Sequence, residues 1–213
     1  SYDSAKSQEP NGWHSFMSST GSMAGMVSAA VHTYASSEVR ENAAEDNKQC
    51  VKIVSTPVKV GSIVAASANG TITTGRLKAG SMTASSKDNC SFLDFSSTGV
   101  DANGDPFYTV LNNKPDAMKV WVKFKAGEGN KNPKATISAL LTNGNYAQDP
   151  EDDKYASNII GRAQNSSIES KDEWQEITIP FTYDNENEMP KAALGTMSTC
   201  AAPSGGSKSE NNP

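Results

Sequence analysis

The chain is short of the groups that usually carry chemistry. Its 213 residues include two histidines, His14 and His32, and three cysteines, Cys50, Cys90 and Cys200. Neither histidine belongs to a Ser-His-Asp spacing or a Gly-x-Ser-x-Gly elbow, which removes the common serine-hydrolase signatures. His14, beside Trp13, reads as a packed or capping group. An odd, sparse cysteine set with no CxxC pair supplies neither a zinc ribbon nor a disulfide framework. At least one thiol is unpaired within a monomer, and buried free thiols are the expectation, since Cys50 opens the run CVKIVS and Cys200 closes MSTC. Basic runs are also missing. Nineteen Lys and Arg against 24 Asp and Glu leave a net charge of -5, so nucleic acid is not an expected partner. No window approaches eighteen consecutive apolar residues, which excludes helical membrane insertion of the mature domain, and the amino terminus SYDSAKSQEPNGW lacks the plan of a secretion signal. Helical periodicity is close to absent; only 17–30, rich in Ser, Gly, Ala and Met, reads as a short helix or a packed irregular loop.

What remains is strand. Runs at 49–55, 63–66, 70–77, 107–111, 117–125, 135–142, 159–163, 173–183 and 193–199 carry strand character, joined by polar connections rich in Gly, Asn, Ser and Asp. Nine such runs without a long helix predict an all-β fold, a two-sheet antiparallel β-sandwich. With no repeat and no dividing linker, one domain over 1–213 is expected. Residues 1–48 form a loop-rich amino-terminal segment packed on the sandwich, 143–154 the longest polar loop, and 203–213 a flexible tail.

The segment KPDAMKVWVKFKAG at 114–127 alternates strictly. Met118, Val120, Val122 and Phe124 share one side, and Lys119, Trp121, Lys123 and Lys125 the other, the pattern of a half-buried strand. Trp121 is thus an indole among lysines. Either the amino-terminal segment covers it, with Trp13 or Phe16 as the cover, or the ring is offered to a ligand that stacks. The apolar C–H face of a sugar fits such a surface, with Lys119 and Lys123 beside it for hydroxyl groups. Trp174, at the start of the 173–183 run, is a second ligand-binding candidate, although its place beside a charged turn also suits a plug at the sandwich end. In EWQEITIPFTY, Ile177, Ile179, Phe181 and Tyr183 face inward, and Pro180 predicts an edge strand or a bend. Ala135, Ile137, Ala139 and Leu141 form the inward set of 135–142.

Acidic residues give little support for catalysis. Pairs such as Glu173 with Glu176, or Asp101 with Asp105, fall in turns or on exposed strand faces with nothing to raise a pKa, as a general acid requires. The loop DANGD at 101–105 spaces Asp101, Asn103 and Asp105 as calcium loops do, but without a downstream bidentate Glu, so a simple turn is the better reading. The run DPEDD at 149–153 likewise reads as a solvated loop. No cofactor is expected; a structural calcium, if held, would take its oxygens from one of these loops.

In the order GWHSF (12–16), CVKIVS (50–55), NGTITTGRL (69–77), KPDAMKVWVKFKAGEG (114–129), EWQEITIPFTY (173–183) and MSTCAAPSGG (197–206), the chain resembles the putative carbohydrate metabolism domain family, surface proteins of glycan-degrading gut bacteria. The resemblance implies a jelly roll similar to galactose-binding and carbohydrate-binding modules, carried by an exported lipoprotein at the outer surface or in the periplasm after loss of its leader. It supplies no catalytic residues. Members of that family usually finish with an apolar strand containing an Asp-Asp pair after the glycine-rich turn; here the sequence runs to Asn212 and Pro213 without one, so either the closing strand lies outside it or this member ends differently, which would leave a sheet edge needing cover. The expected function is therefore non-catalytic binding of a polysaccharide or oligosaccharide. A structural or adhesion sandwich with protein partners is the second reading, and a glycoside hydrolase the third.

Overall fold

A computed structural model describes residues 9–28, 33–44, 48–60, 63–83, 86–96, 98–128 and 133–199. His32, Cys200 and the tail at 203–213 lie outside the described residues. The chain is an all-β sandwich, as expected, with every strand pair antiparallel.

The largest sheet has six strands. Its path runs β14 (Thr182–Tyr183), β12 (Ile159–Glu169), β10 (Lys134–Thr142), β15 (Ala192–Ser198) and β5 (Thr71–Thr73), with β8 (Thr109–Val110) also on β15. A three-stranded sheet orders β11 (Gln148–Asp149), β7 (Asn89–Phe92) and β6 (Arg76–Ala79). Three two-stranded pieces complete the fold: β9 (Ala117–Val122) with β13 (Gln175–Pro180), β1 (Thr33–Ser36) with β2 (Cys50–Ile53), and β3 (Thr56–Val60) with β4 (Ile63–Ala68). The 17–30 stretch contributes a single-turn helix, α1 (Ala24–Val27).

The six-stranded sheet is covered on both faces. Odd-numbered β10 residues Ala135 and Ile137, together with Ala163, Ile168 and Met197, pack against Met118, Val120, Val122, Phe124, Ile177 and Ile179 from the β9–β13 side. Leu140, Ala192 and Leu194 face the other way, onto Leu93 and Ala147. On that second face hydroxyls meet across the sheets: Ser91 Oγ lies 2.7 Å from Thr196 Oγ1, and Ser138 Oγ donates to Asp149. Satisfied hydroxyl pairs of this kind let a chain of modest apolar content close a core without orphaned polar groups. This is why β10 reads as buried on both sides beyond Ile137 rather than as the one-sided strand its alternation predicts.

Two predicted strands are each split by a change of sheet. The 70–77 run breaks at Thr74 and Gly75, so that β5 belongs to the six-stranded sheet and β6 to the three-stranded one. A Cβ on Gly75 would sit 2.3 Å from the Phe92 carbonyl oxygen and 2.4 Å from Leu194 Cδ1, so the corner admits no side chain. The 173–183 run breaks after Pro180, where the expected bend occurs: β13 pairs with β9, and β14 crosses to β12.

Candidate functional site

β9 forms as its alternation requires. Met118, Val120 and Val122 are half-buried against the core, while Lys119 and Trp121 are exposed on the opposite side. The register sets Trp121 across from Glu176 of β13. The indole is 38% exposed. Its cover comes from Arg40, whose guanidinium carbon lies 4.7 Å from the ring centroid, rather than from Trp13 or Phe16. Arg40 is held there by its own loop, donating to the carbonyls of Glu41 at 3.3 Å and Asn42 at 3.1 Å.

Beside this strand runs a cleft of about 1250 Å³ between β9, the β1–β2 hairpin and the part of the six-stranded sheet around Ile72, Ile137 and Met197. All three tryptophans of the chain, Trp13, Trp121 and Trp174, line it. Trp13 reaches it from the amino-terminal segment, with its ring 3.6 Å from where a Gly195 Cβ would stand. Lys123 lines the cleft and pairs with Glu38 at 2.5 Å across the opening; that bond holds Glu38 below the usual carboxylate range and Lys123 above the usual lysine range. Lys119 is not among the cleft residues. It reaches instead to Glu176 at 2.8 Å. Cys50 also lines the cleft, with its Sγ donating to the Glu38 carbonyl at 3.0 Å. Cys90 is buried in β7, where desolvation pushes its thiol up to about 12. Both are free, as expected, but Cys50 is half-buried rather than buried.

The DANGD loop closes on itself as a turn. Asp101 Oδ1 accepts from the backbone N–H groups of Asn103 and Asp105, each at 2.8 Å, and Asp105 Oδ2 accepts from Gly12 N at 2.8 Å. One oxygen of Asp101 and one of Asp105 are thus each engaged by backbone N–H groups. Asp101 turns its other oxygen towards Glu9 and His14, a grouping that no local spacing announces. Burial pushes Glu9 up and His14 down, each towards its neutral form.

No protein-family model matches the chain, and no curated protein matches it. Solved structures do. One, described as a putative glycoside hydrolase from Bacteroides thetaiotaomicron, superposes with a TM-score of 0.53 at 15% identity, over 88% of this chain and 56% of that one. A second, described as a putative glycoside hydrolase from Bacteroides vulgatus, gives a TM-score of 0.50 at 13% identity, over 82% of this chain and 72% of that one. The chain spans little more than half the length of the first. At these identities the likeness concerns the fold: the sandwich described above is one that these bacterial proteins share.

Proposed function

We propose that this chain is a non-catalytic carbohydrate-binding module that takes a polysaccharide or oligosaccharide into the cleft between β9 and the β1–β2 hairpin. The observation that carries the reading is the convergence of the chain's three tryptophans on one open cleft. Indoles stack on the C–H faces of sugar rings, and lysine and asparagine side chains beside them suit hydroxyl recognition. Trp121 is the platform, through the part of its ring that Arg40 leaves open, with Trp174 and Trp13 on the same cleft and Lys123 also lining it. On this reading the chain belongs to the putative carbohydrate metabolism domain family and works as an exported protein at the bacterial surface or in the periplasm.

The names of the two structural neighbours raise hydrolysis as a second reading. Glycoside hydrolysis needs one carboxyl kept protonated to act as the acid. Among the described residues the carboxylates lining the cleft are Glu38 and Asp172, and the hydrogen bond from Lys123 favours the ionised form of Glu38, the reverse of what a proton donor requires. Binding is therefore the better account of the geometry.

The test is affinity electrophoresis through gels containing plant, fungal and host polysaccharides. Wild-type protein should be retarded in at least one gel. Trp121→Ala should migrate freely in that gel with thermal unfolding within a few degrees of wild type, because a ring on an exposed strand face contributes little to the core. Equal migration of the two proteins in every gel would overturn the assignment.

A further inference from the structure

The loop at 101–105 and the amino-terminal segment bring three metal-ligating side chains to one buried point. Ligand atoms of Glu9, His14 and Asp101 all lie within 4.8 Å of one another. His14 Nδ1 is 3.6 Å from Asp101 Oδ2 and 4.0 Å from Glu9 Oε2, and the three side chains are 0%, 1% and 2% exposed in the order His14, Asp101, Glu9.

The hydrogen bonds around this point prepare it for a cation. His14 Nε2 lies 3.2 Å from the Pro106 carbonyl oxygen, which can only accept, so that nitrogen carries the ring proton and Nδ1 presents a lone pair. That lone pair faces acceptor atoms, with Asp101 Oδ2 at 3.6 Å and Glu9 Oε2 at 4.0 Å. In this geometry a proton on Nδ1 would find neither oxygen within hydrogen-bond reach. Nδ1 and Asp101 Oδ2 are both buried without a hydrogen-bond partner. Leaving such groups dry and unsatisfied is costly.

The opposite atoms of the same side chains are held by protein donors. Glu9 Oε1 accepts from Ser15 N at 2.5 Å, Ser15 Oγ at 2.6 Å and Ser18 Oγ at 3.1 Å, while Asp101 Oδ1 takes the two loop N–H groups. A histidine that donates its far nitrogen to a backbone carbonyl, and an Asp101 carboxylate pinned through its other oxygen, are the outer-shell pattern of a metal centre. His14 is fixed in place by paired backbone hydrogen bonds with Thr73, at 2.8 and 2.9 Å, and by the Phe107 ring at 4.5 Å between centroids.

We infer that Glu9, His14 and Asp101 bind one divalent transition-metal ion of the zinc class, as a structural clasp between the amino-terminal segment and the 101–105 loop. One imidazole nitrogen and two carboxylate oxygens suit zinc better than calcium, which takes six to eight oxygens. A tetrahedral ion with bonds of about 2.0–2.1 Å holds its ligand atoms roughly 3.3–3.4 Å apart; the His14–Asp101 pair at 3.6 Å is near that span, and the group as a whole, within 4.8 Å, draws together on binding. Asn103 is the candidate fourth ligand, since both polar atoms of its side chain are buried without partners in the same loop. The clasp also fixes Trp13, the residue before His14, and so one wall of the cleft.

The test uses the full chain, stripped with chelator and dialysed, then titrated with zinc chloride alone. One equivalent should bind, and zinc at a hundredfold excess over Kd should raise the unfolding midpoint by roughly 5–10 °C. Cobalt(II) in place of zinc should give visible ligand-field bands. Asp101→Asn, close in shape and able to keep the loop turn, should weaken zinc binding at least tenfold and lose most of the midpoint shift, whereas Asp153→Asn, in an exposed acidic run, should retain both. Failure of the wild-type protein to bind zinc, an Asp101→Asn titration that matches wild type, or stabilisation by calcium but not zinc would each overturn the inference. None of these readouts depends on carbohydrate.

Discussion

Trp121 and Asp149 show what a single residue's surroundings do with the same kind of sequence signal. Trp121 was legible because period-two alternation places it outward whatever the partner strand. A cover from the amino-terminal segment was one of two expectations, but the residue that supplies it was not legible, because Arg40 lies 81 positions away and arrives through a loop with no pattern of its own. Asp149 sits in what reads as a solvated acidic loop, DPEDD, yet its carboxyl is buried against Ser138. The error came from composition: a run of acids says nothing of which one turns inward. Burial pushes the Asp149 carboxyl above its ordinary range, with the Ser138 hydrogen bond opposing. A folded pKa above the unfolded one means that ionising Asp149 costs nothing at low pH and costs progressively more as pH rises from the unfolded value towards the folded one. Asp149→Asn keeps an acceptor for Ser138 without the charge. It should match wild type in melting temperature at acidic pH and exceed it increasingly towards neutral pH; a difference independent of pH would contradict this account of the site.

At the scale of elements, strands with a clear period or a long apolar run were found, and short polar ones were not. β1, β3, β7 and β11 escaped notice: β3 contains Pro57, β11 has two residues, and β7 reads NCSF. These strands are held by partners rather than by their own propensity, which sequence alone expresses weakly. Sheet switching was half legible. Pro180 predicted the bend between β13 and β14, whereas Gly75, flanked by good strand residues, gave no sign of a corner. Yet Gly75 is the tighter of the two. Gly75→Ala would press a methyl group into the Phe92 carbonyl and Leu194, contacts between two packed sheets that cannot both relax. Overpacking of this kind costs about 2–3 kcal/mol, which lowers the melting temperature of a chain this size by roughly 5–10 °C. A melting temperature within 2 °C of wild type, roughly the shift from half a kilocalorie, would show that the corner is looser than the geometry requires.

At the scale of the whole molecule, the amino-terminal segment does more than cover the sandwich. It contributes Trp13 and Glu38 to the cleft, Arg40 to the Trp121 ring, and Glu9 and His14 to the buried cluster with Asp101. Neither grouping could be read along the chain, because each joins residues separated by about half its length. What brings them together is a bridge between His14 and Thr73 and a hydrogen bond from Gly12 to Asp105. The sandwich was legible from alternation; the sites depend on what is laid across it.

The most direct test of the central claim is a titration of the intact chain, followed by NMR at the three indole N–H resonances, with the glycan that retards it in the affinity gel. The cleft geometry predicts that the Trp121, Trp174 and Trp13 signals shift together and saturate at one binding constant. Shifts confined to resonances away from the cleft, with all three indoles unmoved at saturation, would contradict it.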